Sequence, residues 1–131
     1  MDSYSNPLRV SYSFPAQNFT APIARHIKPP PNCTRGLIRD IHVSVTTAFT
    51  QTTTPGHVEV GDGTTDTKYA DLNMGAAAIN TAYSTVDAGG IVAGGIDLDR
   101  DGITGVVLKT VAPTGGTPAG VGDITLTIDW S

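Results

Sequence analysis

The sequence predicts an all-β chain, a single β-sandwich of jelly-roll type with an extended proline-rich N-terminal segment. Three observations carry that prediction. Threonine, valine and isoleucine, which suit a pleated and half-buried surface, recur throughout the 131 residues. Turn formers are dense, with 15 Gly and 9 Pro. Apolar and polar residues also alternate with a period of two in segments spread over the chain. At this length one domain buries about two-thirds of its unfolded surface, so neither a metal nor a disulfide is required for folding.

The first strand is LRVSYSF, residues 8–14, where Leu8, Val10, Tyr12 and Phe14 alternate with Arg9, Ser11 and Ser13. PAQNFTAPIARHIKPPPNCTRG follows, with Pro15, Pro22 and the run Pro29-Pro30-Pro31. Prolines donate no ladder hydrogen bond and favour extended backbone, so this stretch is expected to run irregularly over a surface. Two readings stay open for residues 15–36. They form an arm that lies on a neighbouring subunit, with Pro29, Pro30 and Pro31 as contact residues, or an ordered loop that covers its own sandwich. On this basis residues 1–36 divide off as an N-terminal strand and arm, and residues 37–131 as the body of one domain.

LIRDIHVSVTTAF sets Ile41, Val43 and Val45 on one face and His42, Ser44 and Thr46 on the other, a clear strand. QTTTPG turns the chain, and HVEV is a short strand that ends at Gly61-Asp62-Gly63. TTDTKYADLNMGAAAINTAYSTVDAGG is predicted as a long, partly ordered loop with one helical turn over Tyr69–Met74. The last third returns to strands in IVAGGIDLD, ITGVVLKTV and GDITLTIDW, separated by Asp101-Gly102 and by PTGGTPAGV. In the final segment Ile124, Leu126, Ile128 and Trp130 share one face, predicted to point inside.

Charge and cysteine usage exclude several classes. The net charge is −4 and the basic residues are scattered, which leaves no broad positive field for a phosphate backbone, so nucleic acid is not an expected partner. Cys33 is the single cysteine, so no intrachain disulfide forms. No apolar run approaches the roughly 20 residues of a membrane-spanning helix, and the opening residues carry no export signal. Synthesis in a cytoplasm, without membrane association, is the expectation. The sequons at Asn18-Phe-Thr20 and Asn32-Cys-Thr34 then have no glycosylating compartment to act in.

Asp97, Asp99, Asp101 and Gly102 in DLDRDG match positions 1, 3, 5 and 6 of an EF-hand calcium loop. Position 12, which needs a bidentate Glu, is Leu108, and the flanks read as strands where an EF-hand has helices. Three carboxylates at alternate positions of a strand stand about 6.5–7 Å apart, too far to wrap one ion. Asp97 and Asp99 are therefore expected on the outer face of a strand, with Asp101-Gly102 in its hairpin turn, and no metal is expected. VEVGDG opens like a dinucleotide fingerprint, but Asp66 stands where the third glycine belongs and no helix is predicted after it, so a Gly-Asp-Gly turn is the reading. His26, His42 and His57 fall at no short metal-ligand spacing and are read as three unrelated histidines. No G-x-S-x-G elbow occurs. Glu59 is the only glutamate, so a Glu-based acid and base pair is ruled out and an Asp-based glycan hydrolase is the sole enzymatic reading left. The chain is not expected to be an enzyme, and no cofactor is predicted.

Two spans, IRDIHVSVTTAFTQTTTPGHVEVGDGTTDTKYADLNMG and GVVLKTVAPTGGTPAGVGDITLTIDW, resemble small virion proteins of tailed bacteriophages. They are similar in particular to the capsid cement, or decoration, proteins of short-tailed phages. The features that carry the likeness are a strand leading into VGDGTTDTKYADL, and an APTGGTPAG loop before an alternating strand that ends in Asp129-Trp130. It covers residues 35–131. The resemblance implies a sandwich or jelly-roll module that forms dimers or trimers on the outer capsid surface of the virion. There it binds the major capsid protein across capsomer junctions and stabilises the shell, and no catalytic residue carries over. The alternative is a carbohydrate-binding or fibre-like β-sandwich assisted by calcium at Asp97, Asp99 and Asp101. Only Trp130 and 4 Tyr offer rings for sugar stacking, and Trp130 is predicted inside.

Overall fold

The computed structural model describes residues 8–92 and 95–131. Two antiparallel sheets pack face to face, and their strands follow the alternation of the sequence closely. The first sheet contains β1 (Leu8–Asn18), β3 (Arg35–Thr50), β6 (Ala82–Ser84) and β9 (Ala119–Trp130) in the order β1-β9-β3-β6, with β7 (Gly95–Asp97) also on β3. The second contains β2 (Ala24–Ile27), β4 (His57–Gly61), β5 (Ala70–Asn73) and β8 (Val106–Val111) in the order β2-β8-β4-β5. One helical turn, α1 (Thr85–Ala88), follows β6, and another, α2 (Leu98–Asp101), follows β7. Setting β7 aside, each early strand pairs with its counterpart counted from the other end: β1 with β9, β2 with β8, β3 with β6, β4 with β5. Such a pattern is a long hairpin wrapped so that consecutive pairs alternate between two sheets.

β9 is the axis of the first sheet. It pairs with β1 from Leu8↔Trp130 to Asn18↔Val121 and with β3 from Gly36↔Trp130 to Thr50↔Ala119. Its inward residues Ile124, Leu126, Ile128 and Trp130 are all fully buried, as their period of two predicts. They meet Val58, Val60, Leu72, Val106 and Leu108 of the facing sheet in one core. Each fully buried aliphatic side chain is worth about 1.5–3 kcal/mol of transfer free energy. The Trp130 indole N–H donates to the Tyr12 hydroxyl at 2.8 Å, which satisfies the one polar atom that this ring carries inside.

Bulges adjust the alternation where it would otherwise expose the core. In β3 the register shifts between Ile38 and Asp40, so that Ile38 and Ile41, three apart, both point inward. In β1 the shift lies between Phe14 and Gln17, where Pro15 has no N–H to give and Ala16 takes a positive φ of 51°. The Ala16 N–H is not left unpaired, since it donates to the Asp123 carboxylate at 2.6 Å.

Three expectations need correction. Residues 15–36 do not run irregularly: Phe19 and Ile27 are buried in their own sandwich, and β2 pairs with β8. Phe19 meets Phe49 edge to face at 4.7 Å between ring centroids. Pro29 and Pro30 are half-buried and Pro31 is exposed. Instead of a reaching spacer the run enters a turn, in which Pro31 supplies a fixed φ, Asn32 a positive φ of 67°, and the Cys33 N–H closes on the Pro30 carbonyl at 3.1 Å. The boundary at residue 36 therefore falls inside β3, and residues 1–7 of the N-terminal division lie outside the described residues. Second, Tyr69–Met74 holds no helical turn. Ala70–Asn73 is strand β5, and its buried members Ala70 and Leu72, with Met74 beyond, alternate at a period of two. Third, the strand read in IVAGGIDLD ends at Asp97, and Leu98–Asp101 is helical; Ala93 and Gly94 within it lie outside the described residues.

Gly61, at the end of β4, is required for space. A Cβ there would lie 2.0 Å from the Thr65 carbonyl oxygen, which is backbone and cannot swing away. Gly102 is required for conformation instead, with φ at 67° and nothing within 4 Å of an added Cβ. Gly61→Ala is therefore expected to destabilise by about 3 kcal/mol or more, and Gly102→Ala by about 1–2 kcal/mol. Urea denaturation of the two variants checks this, and equal losses would contradict the distinction.

Candidate functional site

The outward residues of β4 and β5 bring three metal-ligand side chains together. Val58 and Val60 point into the core, so His57 and Glu59 share the outer face, two residues apart on one strand. The register places Asp71 of β5 directly opposite Glu59, on the same face. His57 Nδ1 lies 2.7 Å from Asp71 Oδ1, and ligand atoms of His57, Glu59 and Asp71 all stand within 4.8 Å of one another. All three residues are half-buried. Glu59 also faces Lys109 of β8, but the Lys109 ammonium pairs with Asp66 at 2.9 Å. Partial burial, and next the Asp71 charge, hold the Glu59 carboxyl above the usual range, because each makes its anion costlier.

A second polar cluster ties the loop after β4 to α2. Asp62 accepts from the Thr64 and Thr65 N–H groups at 2.8 and 2.7 Å and from Lys68 at 3.2 Å, a local turn that closes the Gly-Asp-Gly segment. The two backbone bonds are the main reason its carboxyl lies below the usual range. Lys68 also reaches Asp101 at 3.4 Å, and the Tyr69 hydroxyl donates to Asp101 Oδ2. Arg100 Nε donates to Asp101 Oδ1 at 3.0 Å, the leading cause of a carboxyl held far below its usual range. Burial first, and then the bond to Asp101, push the Tyr69 phenol well above its usual value.

The sequence expectation is corrected for Asp99 and Asp101, which lie on a helical turn, while Asp97 does lie on a strand. Asp97 ends β7 and accepts from the Arg100 N–H at 3.1 Å as the cap of α2, because a short carboxylate can offer the backbone a partner that competes with the ladder. Asp99 sits on that helical turn, Asp101 binds Tyr69, and Gly102 closes the turn in the left-handed region instead of forming a hairpin. Asp97 also faces Arg35 at 3.7 Å, on the rim of an open depression of about 370 Å³ lined by Arg35, Gly36, Gly95, Ile96, Asp97 and Arg100. Among the described residues the three ligand atoms that converge are those of His57, Glu59 and Asp71, and not those of Asp97, Asp99 and Asp101.

His57 was not separable from His26 and His42 on spacing along the chain. The available signal was the pair His57-x-Glu59 on one face of a strand. The third member was hidden because residues 70–73 did not read as a strand. His26 lies on β2 and His42 on β3, away from this group. No protein family, no curated protein and no solved structure matches the chain.

The Tyr69–Asp101 bond makes stability depend on pH at both ends. Asp101 has a lowered value when folded, so its contribution is present above about pH 4 and is lost as pH falls through the folded value. Tyr69 has a raised value, so its contribution is full below about pH 10 and is lost as pH rises toward the folded value. Tyr69→Phe is expected to cost about 1–3 kcal/mol at neutral pH, since it removes a donor to a charged group. The loss should shrink above about pH 10, where the wild type loses its own advantage. Urea midpoints measured across pH for both proteins test this, and a difference that does not vary with pH would contradict it.

Proposed function

We propose that the chain is a structural virion protein, a decoration protein that binds the outer surface of a bacteriophage capsid and stabilises the shell. The observation that carries this reading is the strand order. The pairs β1-β9, β2-β8, β3-β6 and β4-β5 alternate between two sheets, the order that the wrapped hairpin of a jelly roll would give, and this supports a jelly-roll reading, an architecture common in capsid and lectin domains. The resemblance of residues 35–131 to phage decoration proteins points the same way, and its two carrying stretches occupy defined places. VGDGTTDTKYADL forms the end of β4, the Asp62 turn and most of β5, and APTGGTPAG connects β8 to β9.

The partner in this reading is the major capsid protein, and the chain acts as a homo-oligomer, a dimer or trimer. Repetition over a symmetric lattice lets modest single contacts add up. A surface that suits such a contact is the segment crossing from the first sheet to the second after β6. There Val86 is 73% exposed and Val92 62%, with Ile91, bridged to Ala70 of β5, at 38%. Apolar side chains grouped in this way commonly mark surfaces that another macromolecule covers. The carbohydrate alternative leans on calcium at Asp97, Asp99 and Asp101 and on stacking by Trp130 or a tyrosine. Asp97 caps α2, Asp101 is bound to Tyr69 and Arg100, and Trp130 is fully buried.

Sedimentation of the purified chain, followed by mixing with undecorated heads, tests the proposal. Co-sedimentation with heads at a fixed copy number is the expected result. A strictly monomeric protein that leaves heads unbound would overturn it. Val86→Asp with Val92→Asp is expected to weaken head binding at least about tenfold through charge burial at the contact, while the thermal midpoint stays within a few degrees.

A further inference from the structure

We propose that His57, Glu59 and Asp71 form a binding site for one divalent transition-metal cation of the zinc class on the outer face of the second sheet. An imidazole nitrogen with two carboxylate oxygens is a three-ligand set suited to zinc, and the imidazole turns the preference away from calcium and magnesium, which take oxygen. The donors are held by the sheet and not by a loop. β4 lies between β5 and β8, Glu59 is in direct register with Asp71, and His57 is two residues away on the same face. A site on paired strands keeps its donors where the ladder puts them.

The distances are those of a nearly formed site. A tetrahedral ion with bonds of about 2.0–2.1 Å sets its ligand atoms about 3.3 Å apart. The three donors already lie within 4.8 Å of one another, and one pair, His57 Nδ1 and Asp71 Oδ1, is at 2.7 Å. Binding needs that pair to open by a few tenths of an ångström and Glu59 to turn inward, movements within the reach of side-chain torsions.

Charge supplies an independent argument. Glu59 and Asp71 stand opposite each other on adjacent strands, a like-charged cross-strand pair that costs stability. Lys109 of β8, directly opposite Glu59, is the cation in register to relieve it, yet its ammonium is hydrogen-bonded to Asp66 at 2.9 Å. Among the hydrogen bonds of the described residues, Asp71 receives His57 and the Glu59 carboxylate receives no donor. A divalent ion between them neutralises both carboxylates at once. Three protein ligands leave a fourth position facing outward, open to water or to a ligand from a partner.

The site does not rest on the capsid reading, and the two are measured separately. Calorimetry with zinc chloride on the full chain, freed of metal by a chelator, is expected to give one ion per chain and a higher thermal midpoint. Glu59→Gln, Asp71→Asn and His57→Gln should each weaken binding at least about tenfold, the scale expected when a coordinating set is disturbed. These exchanges are near in size and lie on the outer face, and circular dichroism verifies that each variant folds. Absence of zinc heat in the wild type overturns the proposal. So does wild-type affinity in all three variants, which places the ion elsewhere, and so does calcium binding tighter than zinc.

Discussion

The pairing of β9 with both β1 and β3 is the constraint on which the rest of the fold depends. β1 has no other strand beside it among the described residues, and β3 has β6 and β7 only along short stretches of its far edge. Without β9 the first sheet has no continuous ladder, and Ile124, Leu126, Ile128 and Trp130 leave the core together. The outer face is fastened at the same place. Arg9 reaches Asp129 at 2.7 Å and Arg39 reaches it at 3.1 Å, one from each flanking strand. Such exposed pairs add little energy, so it is the apolar inner face of β9 that holds the sheet.

This arrangement brings Leu8 against Trp130 and so requires distant parts of the chain to meet. Closing so long a loop precedes any reward from the core, and sheets built this way fold slowly for that reason. The second sheet is wrapped inside the same hairpin. β4 and β8 sit at its centre, which is why the outer face of β4 makes a firm platform for His57 and Glu59. The loop from Asp62 to Lys68 is tied by Asp62 and Asp101 to its own turn and to α2, and Lys109 is drawn toward Asp66 in that loop. The two polar clusters are thereby coupled: the loop that closes the Gly-Asp-Gly turn also supplies Asp66, which competes with Glu59 for the Lys109 ammonium.

Much of this was legible in the residues. Alternation placed strands at 8–14, 41–45, 57–60 and 124–130, and it placed Trp130 inside. A period of two is a direct imprint of a sheet with one buried face, so it survives in the sequence wherever a strand has such a face. The same rule was available at Ala70, Leu72 and Met74, but a strand of only 4 residues gives too short an alternation to separate it from a helical turn. Asp99 and Asp101 were misplaced for a local reason. The Asp97 side chain, at the end of β7, takes the Arg100 N–H and opens a helical turn there, a bond that periodicity does not register.

By itself the sequence determined the class of fold and, for the strands with clear alternation, which residues face inward, because these follow from local alternation and turn chemistry. Only the tertiary structure decided which strands are neighbours, and therefore that Asp71 faces Glu59 and that Asp101 belongs to Tyr69. The reason is physical: register and strand order are set by packing between residues far apart in the chain, so the meeting of their outward side chains leaves no periodic trace in the residues themselves.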